Sequence, residues 1–330
     1  MTNYISINNK ILPAKKSLIS IQDRGFRFGD GVFETCLIRQ GVIYNFEAHL
    51  ARLNSGLKAI KIKPFIPSGY KNASQDAPHF VGNPIPHVDG TYGKINLENK
   101  NNFDEDLKKT CTKLIKKNQI KNGYLRIAIS RGVGSFGYLP IQNISPNIVI
   151  EIIEAYQKPR APIKLCISQI EKPSLKSLPV NYKLMQGLNS TLVKLEAVEN
   201  DCFDAIILNH KKQICETSSA NIFWIKDNVL YTPDIECGCL DGTIRKKIIT
   251  LCPIKIKLVK TSLKDFLLAD EAFITNVSVG VLAIDKIVDK EFTNKKYSTI
   301  FTNLLNQDIK NYVTKATAKK LSNKIIKKVD

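Results

Sequence analysis

The chain is expected to fold as an α+β protein of two domains, and three observations carry that expectation. Its 330 residues suffice for two domains that share a cleft, or for one large domain. Apolar runs of strand length are interspersed with segments whose apolar residues recur every three or four positions. The composition breaks at residues 157–162, QKPRAP, which read as a linker. The first domain is therefore placed at 1–156 and the second at 163–330.

Residues 3–22 read as short strands, with ISI and LIS set among turn residues. In DRGFRFGDGVFETCLIRQGVIYNFEAHLARL (23–53), the turn Gly29-Asp30-Gly31 leads into a strand, VFETCLI. Gln40-Gly41 turns back into a second strand, VIYNF, and Glu47 opens a helix carrying His49, Arg52 and Leu53. Residues 64–103 lose all hydrophobic period and are rich in Pro, Gly and Asn, which predicts an irregular insertion. A helix is expected over 103–118, then a strand over 123–132, a glycine-rich turn at 132–137 and a strand over 147–156.

The second half opens with a strand at 163–170 and then PVNYKLMQGLNSTLVKLEAVE, residues 179–199. Leu184, Leu188, Leu192, Leu195 and Val198 recur at spacings of four and three, which predicts one buried helical stripe. Pro179 and Asn181 place Lys183 where a turn meets that helix. Strands follow at 204–209, within CETSSANIFWIKDNVLYTP (215–233) and within ADEAFITNVSVGVLAI (269–284), which holds a small polar turn at Thr275 to Ser278. Gly242 precedes a short helix in CLDGTIRKKII (239–249), and residues 298–325 read as a final helix in a lysine-rich tail.

Composition narrows the function. A formal net charge of +19 invites a nucleic-acid reading, but the lysines run through the whole chain without aromatic-basic interleaving or a recognised motif. Solvated lysine-rich faces are the favoured reading, and the positive field also attracts anionic small molecules. No apolar run approaches the ~20 residues of a membrane span. MTNYISINNK lacks the features of a secretory signal, and eight cysteines without paired spacing suit a reducing cytoplasm. Cys237-Gly-Cys239 is too short and isolated for a zinc site.

Taken alone, Lys183 reads as a solvated surface residue and Arg52 as a surface helix arginine. Together with Glu216, fixed where a strand begins, and the Gly242 helix start, they form another set. A lysine can bind an aldehyde carbon covalently, and a carboxylate can keep a pyridine nitrogen protonated. Arginine and helix-start amides hold phosphate. These are the parts needed to hold pyridoxal 5′-phosphate.

At these motifs the chain resembles the class IV aminotransferases, the pyridoxal-phosphate enzymes of fold type IV. That family includes branched-chain aminotransferases, D-amino acid aminotransferases and 4-amino-4-deoxychorismate lyases. FGDGVF…EAHLARL is similar to the segment that supplies the phosphate arginine, which implies Arg52. KLMQGLNSTLVKLEA matches the helix that follows the cofactor lysine, implying Lys183, and ETSSANIF gives Glu216 at the ring nitrogen. LDGTIR implies Leu240 against the ring and Thr243 and Ile244 at the phosphate, with that pair swapped from its commonest form. Asn276 and Ser278 complete the implied cofactor residues. The resemblance further implies a cofactor cleft between the two domains and a homodimer.

Substrate residues separate the members. Phe33, Phe136 and Tyr138 stand where D-amino acid aminotransferases carry the tyrosine, arginine and histidine that trap the substrate carboxylate. ISRGVGSFGY, ETSSANIFWIKDNVLYTP and DEAFITNVSVGVLAI look more like the lyases, although Val277 and Ala283 replace a serine and a proline and Phe136 replaces a frequent arginine. Arg126 and Arg131 are the nearest candidates to hold the substrate carboxylates, and Phe33 suits an apolar pocket. The resemblance thus implies 4-amino-4-deoxychorismate lyase activity, releasing pyruvate and 4-aminobenzoate for folate synthesis. Branched-chain aminotransferase is the alternative, followed by D-amino acid aminotransferase. A non-catalytic pyridoxal-phosphate-binding protein is the reading from a different class.

Overall fold

The computed structural model describes residues 3–62, 100–134, 136–141, 144–155 and 162–329. Most of the expected insertion at 64–103 and of the linker at 157–162 lies outside these residues.

Tyr4–Ile7 (β1) and Lys10–Pro13 (β2) form a hairpin over Asn8 and Asn9, both at positive φ, a conformation that asparagine tolerates. Leu18 and Ile19 are exposed and lie outside any strand, so the expected LIS strand does not form. Arg24–Phe28 (α1) is a single turn capped by Asp23, and it delivers the chain to Gly31–Arg39 (β3). Val42–Ile43 (β4) is shorter than expected, because the chain turns at Asn45 in the left-handed region and enters Phe46–Ala59 (α2). Lys100–Lys117 (α3), Gly123–Ser130 (β5) and Asn147–Glu154 (β6) complete the first half.

The six strands order as β2-β1-β6-β5-β3-β4. Alternate residues of β3, β5 and β6 face the two helices, and Phe46, Leu53, Leu57, Phe103, Leu107, Leu125, Ile127 and Ile150 form their shared core. Fully burying such a side chain contributes about 1.5–3 kcal/mol, which makes the helical cover a stable backing for β3.

The second half contains Ile163–Ile167 (β7), Leu188–Glu199 (α4), Asp204–Leu208 (β8), Ile214–Thr217 (β9), Asn221–Lys226 (β10) and Val229–Pro233 (β11). After these come Thr243–Leu251 (α5), Ile256–Val259 (β12), Leu263–Phe266 (α6), Glu271–Asn276 (β13), Gly280–Ile287 (β14), Lys290–Glu291 (β15) and Lys296–Val329 (α7). Their sheet runs β12-β11-β10-β13-β14-β7-β8-β9, with β15 beside β14. The two sheets meet through a third core, in which Leu37, Tyr44 and Tyr124 pack with Phe223, Phe273, Tyr297 and Phe301. Sheets and helices on this plan make an α+β fold, with a cleft where the two sheets approach.

One expectation is overturned. The helix starts at Leu188, and Leu188, Leu192, Leu195 and Val198 lie on its exposed face, between 43% and 70% accessible. The buried side is the opposite one, where Val193 and Ala197 pack on Ala205 and Ile207 of β8. Periodicity identifies a stripe, not what covers it.

Candidate active site

Lys183 precedes α4 rather than lying on it, and backbone bonds fix its place. The Phe33 N–H donates to Lys183 O (2.9 Å) and the Met185 N–H to Gly31 O (2.9 Å), so residues 183–185 run along the start of β3. A side chain at position 31 would collide with Met185 Sδ and with Ile129 O, so only glycine permits this approach. Lys183 Nζ then stands 4.4 Å from the centre of the Phe33 ring, with no carboxylate partner among the described residues. Burial, reinforced by the Arg52 charge, lowers its pKa to about 8.

Glu216 approaches the same cleft from the end of β9. Its Oε1 accepts from Lys172 Nζ (2.5 Å), and Oε2 accepts from the Leu240 N–H (3.0 Å) and Asn221 Nδ2 (3.4 Å). Asn221 also donates to Leu240 O (2.8 Å), which ties Leu240 to the carboxylate.

Arg52, on α2, is held from behind by Glu34 of β3. Arg52 Nε and Nη2 donate to the two Glu34 oxygens (2.6 and 2.8 Å), and Nη1 donates to Asp241 O (3.1 Å). Three of the guanidinium's five N–H groups are engaged, so two remain for a ligand. Burial pushes the Glu34 carboxyl up, but Arg52 and the His49 ring nitrogen bonded to it (2.7 Å) bring it down to about 2. The ion pair is thus complete at neutral pH, and removing one partner of such a buried pair costs about 3–5 kcal/mol.

Helix α5 begins at Gly242 with no side chain capping it, and its first amides border the cleft. Asn221 Oδ1 lies where a Cβ of residue 242 would be, so the backbone alone lines this corner. Thr243 is buried, with its hydroxyl 3.5 Å from His49 Nε2.

The cleft has a volume of about 1000 Å³. Lys183, Arg52, Glu216, Leu240, Thr243, Ile244, Asn276, Ser278 and Phe33 all border it. The Asn276 side chain is committed to the turn it begins, accepting from the Ser278 and Val279 N–H groups (both 2.8 Å) and donating to Ser219 O (3.0 Å).

The other candidates are elsewhere. Arg131 does not border the cleft. Its guanidinium binds both Asp30 oxygens (2.7 and 2.9 Å) and the carbonyls of Ile60 and Lys61, which makes it an internal brace instead of the substrate arginine expected from its place in the chain. Burial raises the Asp30 pKa, but Arg131 and Arg24 lower it below the ordinary value. Arg126 does not border the cleft; its guanidinium lies 4.5 Å from the Phe33 ring centre and 3.5 Å from Glu151. Phe136 and Tyr138 are 87% exposed and outside the cleft wall. Three residues escaped the sequence reading: Glu34, Lys172, and Arg27, which borders the cleft with no carboxylate partner among the described residues. Among the described residues no metal-binding cluster occurs, and no helix is long and apolar enough to cross a membrane.

An unpaired amine of lowered pKa, a buried carboxylate, an arginine with two open donors and an uncapped helix start fit pyridoxal 5′-phosphate, with the amine for its aldehyde and the arginine and amides for its phosphate. The site and fold are those of a pyridoxal-phosphate enzyme of fold type IV. The family described as amino-transferase class IV matches residues 31–287, and the chain belongs to that family. It is 24% identical over 286 residues to the D-alanine aminotransferase of Bacillus licheniformis, covering 86% of this chain and 88% of that one. It is 24% identical over 332 residues to the aminodeoxychorismate lyase of Bacillus subtilis, covering 94% and 96%. In structure it is similar to the branched-chain aminotransferase of Thermoproteus uzoniensis with norvaline, with a TM-score of 0.77 at 18% identity over 93% of this chain and 94% of that one.

Proposed function

We propose that the chain is a 4-amino-4-deoxychorismate lyase. The observation that carries this reading is the substrate side of the cleft. Where a D-aminotransferase traps a carboxylate, Phe33 lines the wall, and Phe136 and Tyr138 lie outside it. Arg27 borders the cleft with no carboxylate partner among the described residues, which leaves its charge available to an anionic substrate.

In this reading Arg52 and the α5 amides would hold the cofactor's phosphate, Leu240 would pack on its ring and Glu216 would keep its nitrogen protonated. Bound pyridoxal phosphate supplies an acceptor for the electrons released when the substrate's C4–H bond breaks. Lys183 would remove that C4 proton as general base, and its pKa of about 8 suits the task near neutral pH. Phe33 keeps the face beside Lys183 apolar. The C3–O bond then breaks, enolpyruvate leaves and becomes pyruvate by gaining a proton, and the six-membered ring becomes aromatic.

Phe33, Leu178, Val180 and Leu188 give the cleft an apolar side as well, which favours branched-chain aminotransferase as the second reading. Rates measured with aminodeoxychorismate, and separately with valine, leucine and D-alanine plus 2-oxoglutarate, separate them. The lyase reading expects aminodeoxychorismate to be consumed fastest. Faster valine or leucine turnover would replace it with the aminotransferase.

We further infer a homodimer in which the α4 stripe is covered by a second copy, because exposed apolar residues aligned on one helix face mark an association surface. Leu192→Glu with Leu195→Glu should shift the chain from dimer to monomer in sedimentation velocity. A wild-type monomer contradicts the inference.

A further inference from the structure

Neither phosphate binding nor carboxylate recognition employs Lys172, a cation that borders the cleft and is buried with Glu216. Beyond the end of β7, the Lys172 N–H donates to Leu208 O (2.9 Å), which places the residue beside the β8–β9 pair. Its stem passes Gly238, where an added Cβ would stand 3.5 Å from Lys172 Cγ. Its Nζ ends 2.5 Å from Glu216 Oε1, with side-chain exposures of 10% and 7%.

The Glu216 charge also acts on the Lys183 amine, but the other groups around the pair are neutral. Oε2 of Glu216 receives the neutral donors Leu240 N–H and Asn221 Nδ2. Cys215 and Cys239 lie near both charges, and burial raises their thiols to where they stay neutral. Burial lowers the Lys172 pKa, but the Glu216 charge and hydrogen bond outweigh it and hold the pKa above the ordinary value.

We propose that Lys172 is a positioning residue that holds the Glu216 carboxylate in place and shares its charge with the cofactor's ring nitrogen. The proposal rests on Glu216 being the partner of that nitrogen. Two cations then draw on one carboxylate, so the nitrogen holds its proton less firmly than it would opposite an undivided glutamate. A tempered electron acceptor is adequate for a reaction whose product gains aromaticity.

The test uses the full chain with Lys172→Met, Lys172→Arg, Glu216→Gln and the Lys172→Met/Glu216→Gln pair. Without cofactor, Lys172→Met should lower Tm at pH 7 and Lys172→Arg should restore most of the loss. In the Glu216→Gln background the Lys172→Met change should have little further effect, because contacting residues are not additive. With saturating pyridoxal phosphate, Lys172→Met should gain more in Tm than the wild type, since the ring nitrogen is then the principal cation on Glu216. Its visible absorption should also hold its neutral-pH form to higher pH.

Additive effects in the double variant, or equal cofactor-induced shifts, overturn the proposal. If Lys172→Met alone does not fold, folding of the uncharged pair supports the coupling, and failure of both overturns it. If Glu216→Gln leaves the bound cofactor's absorption and its pH dependence unchanged, Glu216 is not the nitrogen's partner. That result removes the reading beneath the proposal, whereas a response in Glu216→Gln but none in Lys172→Met removes the proposal alone.

Discussion

Lys183→Ala should yield a protein with no turnover and no cofactor adduct that borohydride can reduce. Among the described residues two lysines border the cleft, and their surroundings set them apart. Lys172 is bonded to Glu216 and kept protonated by it, so its nitrogen has no free electron pair. Lys183 has no carboxylate partner among the described residues, and burial with the Arg52 charge lowers its pKa to about 8, so it gives up its proton far more readily than an ordinary lysine. Lys194 Nζ is bound to Phe203 O and does not border the cleft. The same residue, Lys183, governs a pH effect in the cofactor-free protein. An unfolded lysine titrates near ~10.4, so between about 8 and ~10.4 the unfolded chain holds more protons than the folded one, and stability rises with pH. Lys183→Ala should flatten that rise in chemical denaturation. A reducible adduct retained in the variant contradicts the assignment.

Glu216→Gln should keep the cofactor bound while turnover falls by roughly two to three orders of magnitude. The amide fits the same space and can still accept the Leu240 N–H bond, but it no longer supplies the charge that keeps a ring nitrogen protonated. Loss of one oriented electrostatic contact of this kind costs about 2–4 kcal/mol of transition-state stabilisation. Rates from single-turnover kinetics on the loaded enzyme give the size directly. Near-wild-type turnover would place the nitrogen's partner elsewhere.

The residues that line the cleft were legible in the sequence chiefly through the family motifs, because taken singly each has an ordinary surface reading. Lys183 precedes a helix and Gly242 starts one, as their local patterns imply, whereas Glu216 lies inside β9 and not where a strand begins, so its place came from the family motif. What supports them is not local. Glu34 meets Arg52 from 18 residues away and Lys172 meets Glu216 from 44, and no spacing rule predicts either pair. Arg131 fails as a substrate arginine for the same reason, since its partner Asp30 is 101 residues distant in the chain. The α4 stripe was visible as a period, but its exposure depends on the packing of Val193 and Ala197 against β8.

Elimination regenerates the aldehyde form of the cofactor in every cycle, whereas transamination leaves it aminated until a 2-oxo acid arrives. The most direct measurement is therefore product release from aminodeoxychorismate, in large excess over enzyme, with no 2-oxo acid present. The account predicts pyruvate and 4-aminobenzoate in equal amounts over many turnovers per site. No product, or turnover that stops after one equivalent per site and resumes on adding 2-oxoglutarate, would contradict it.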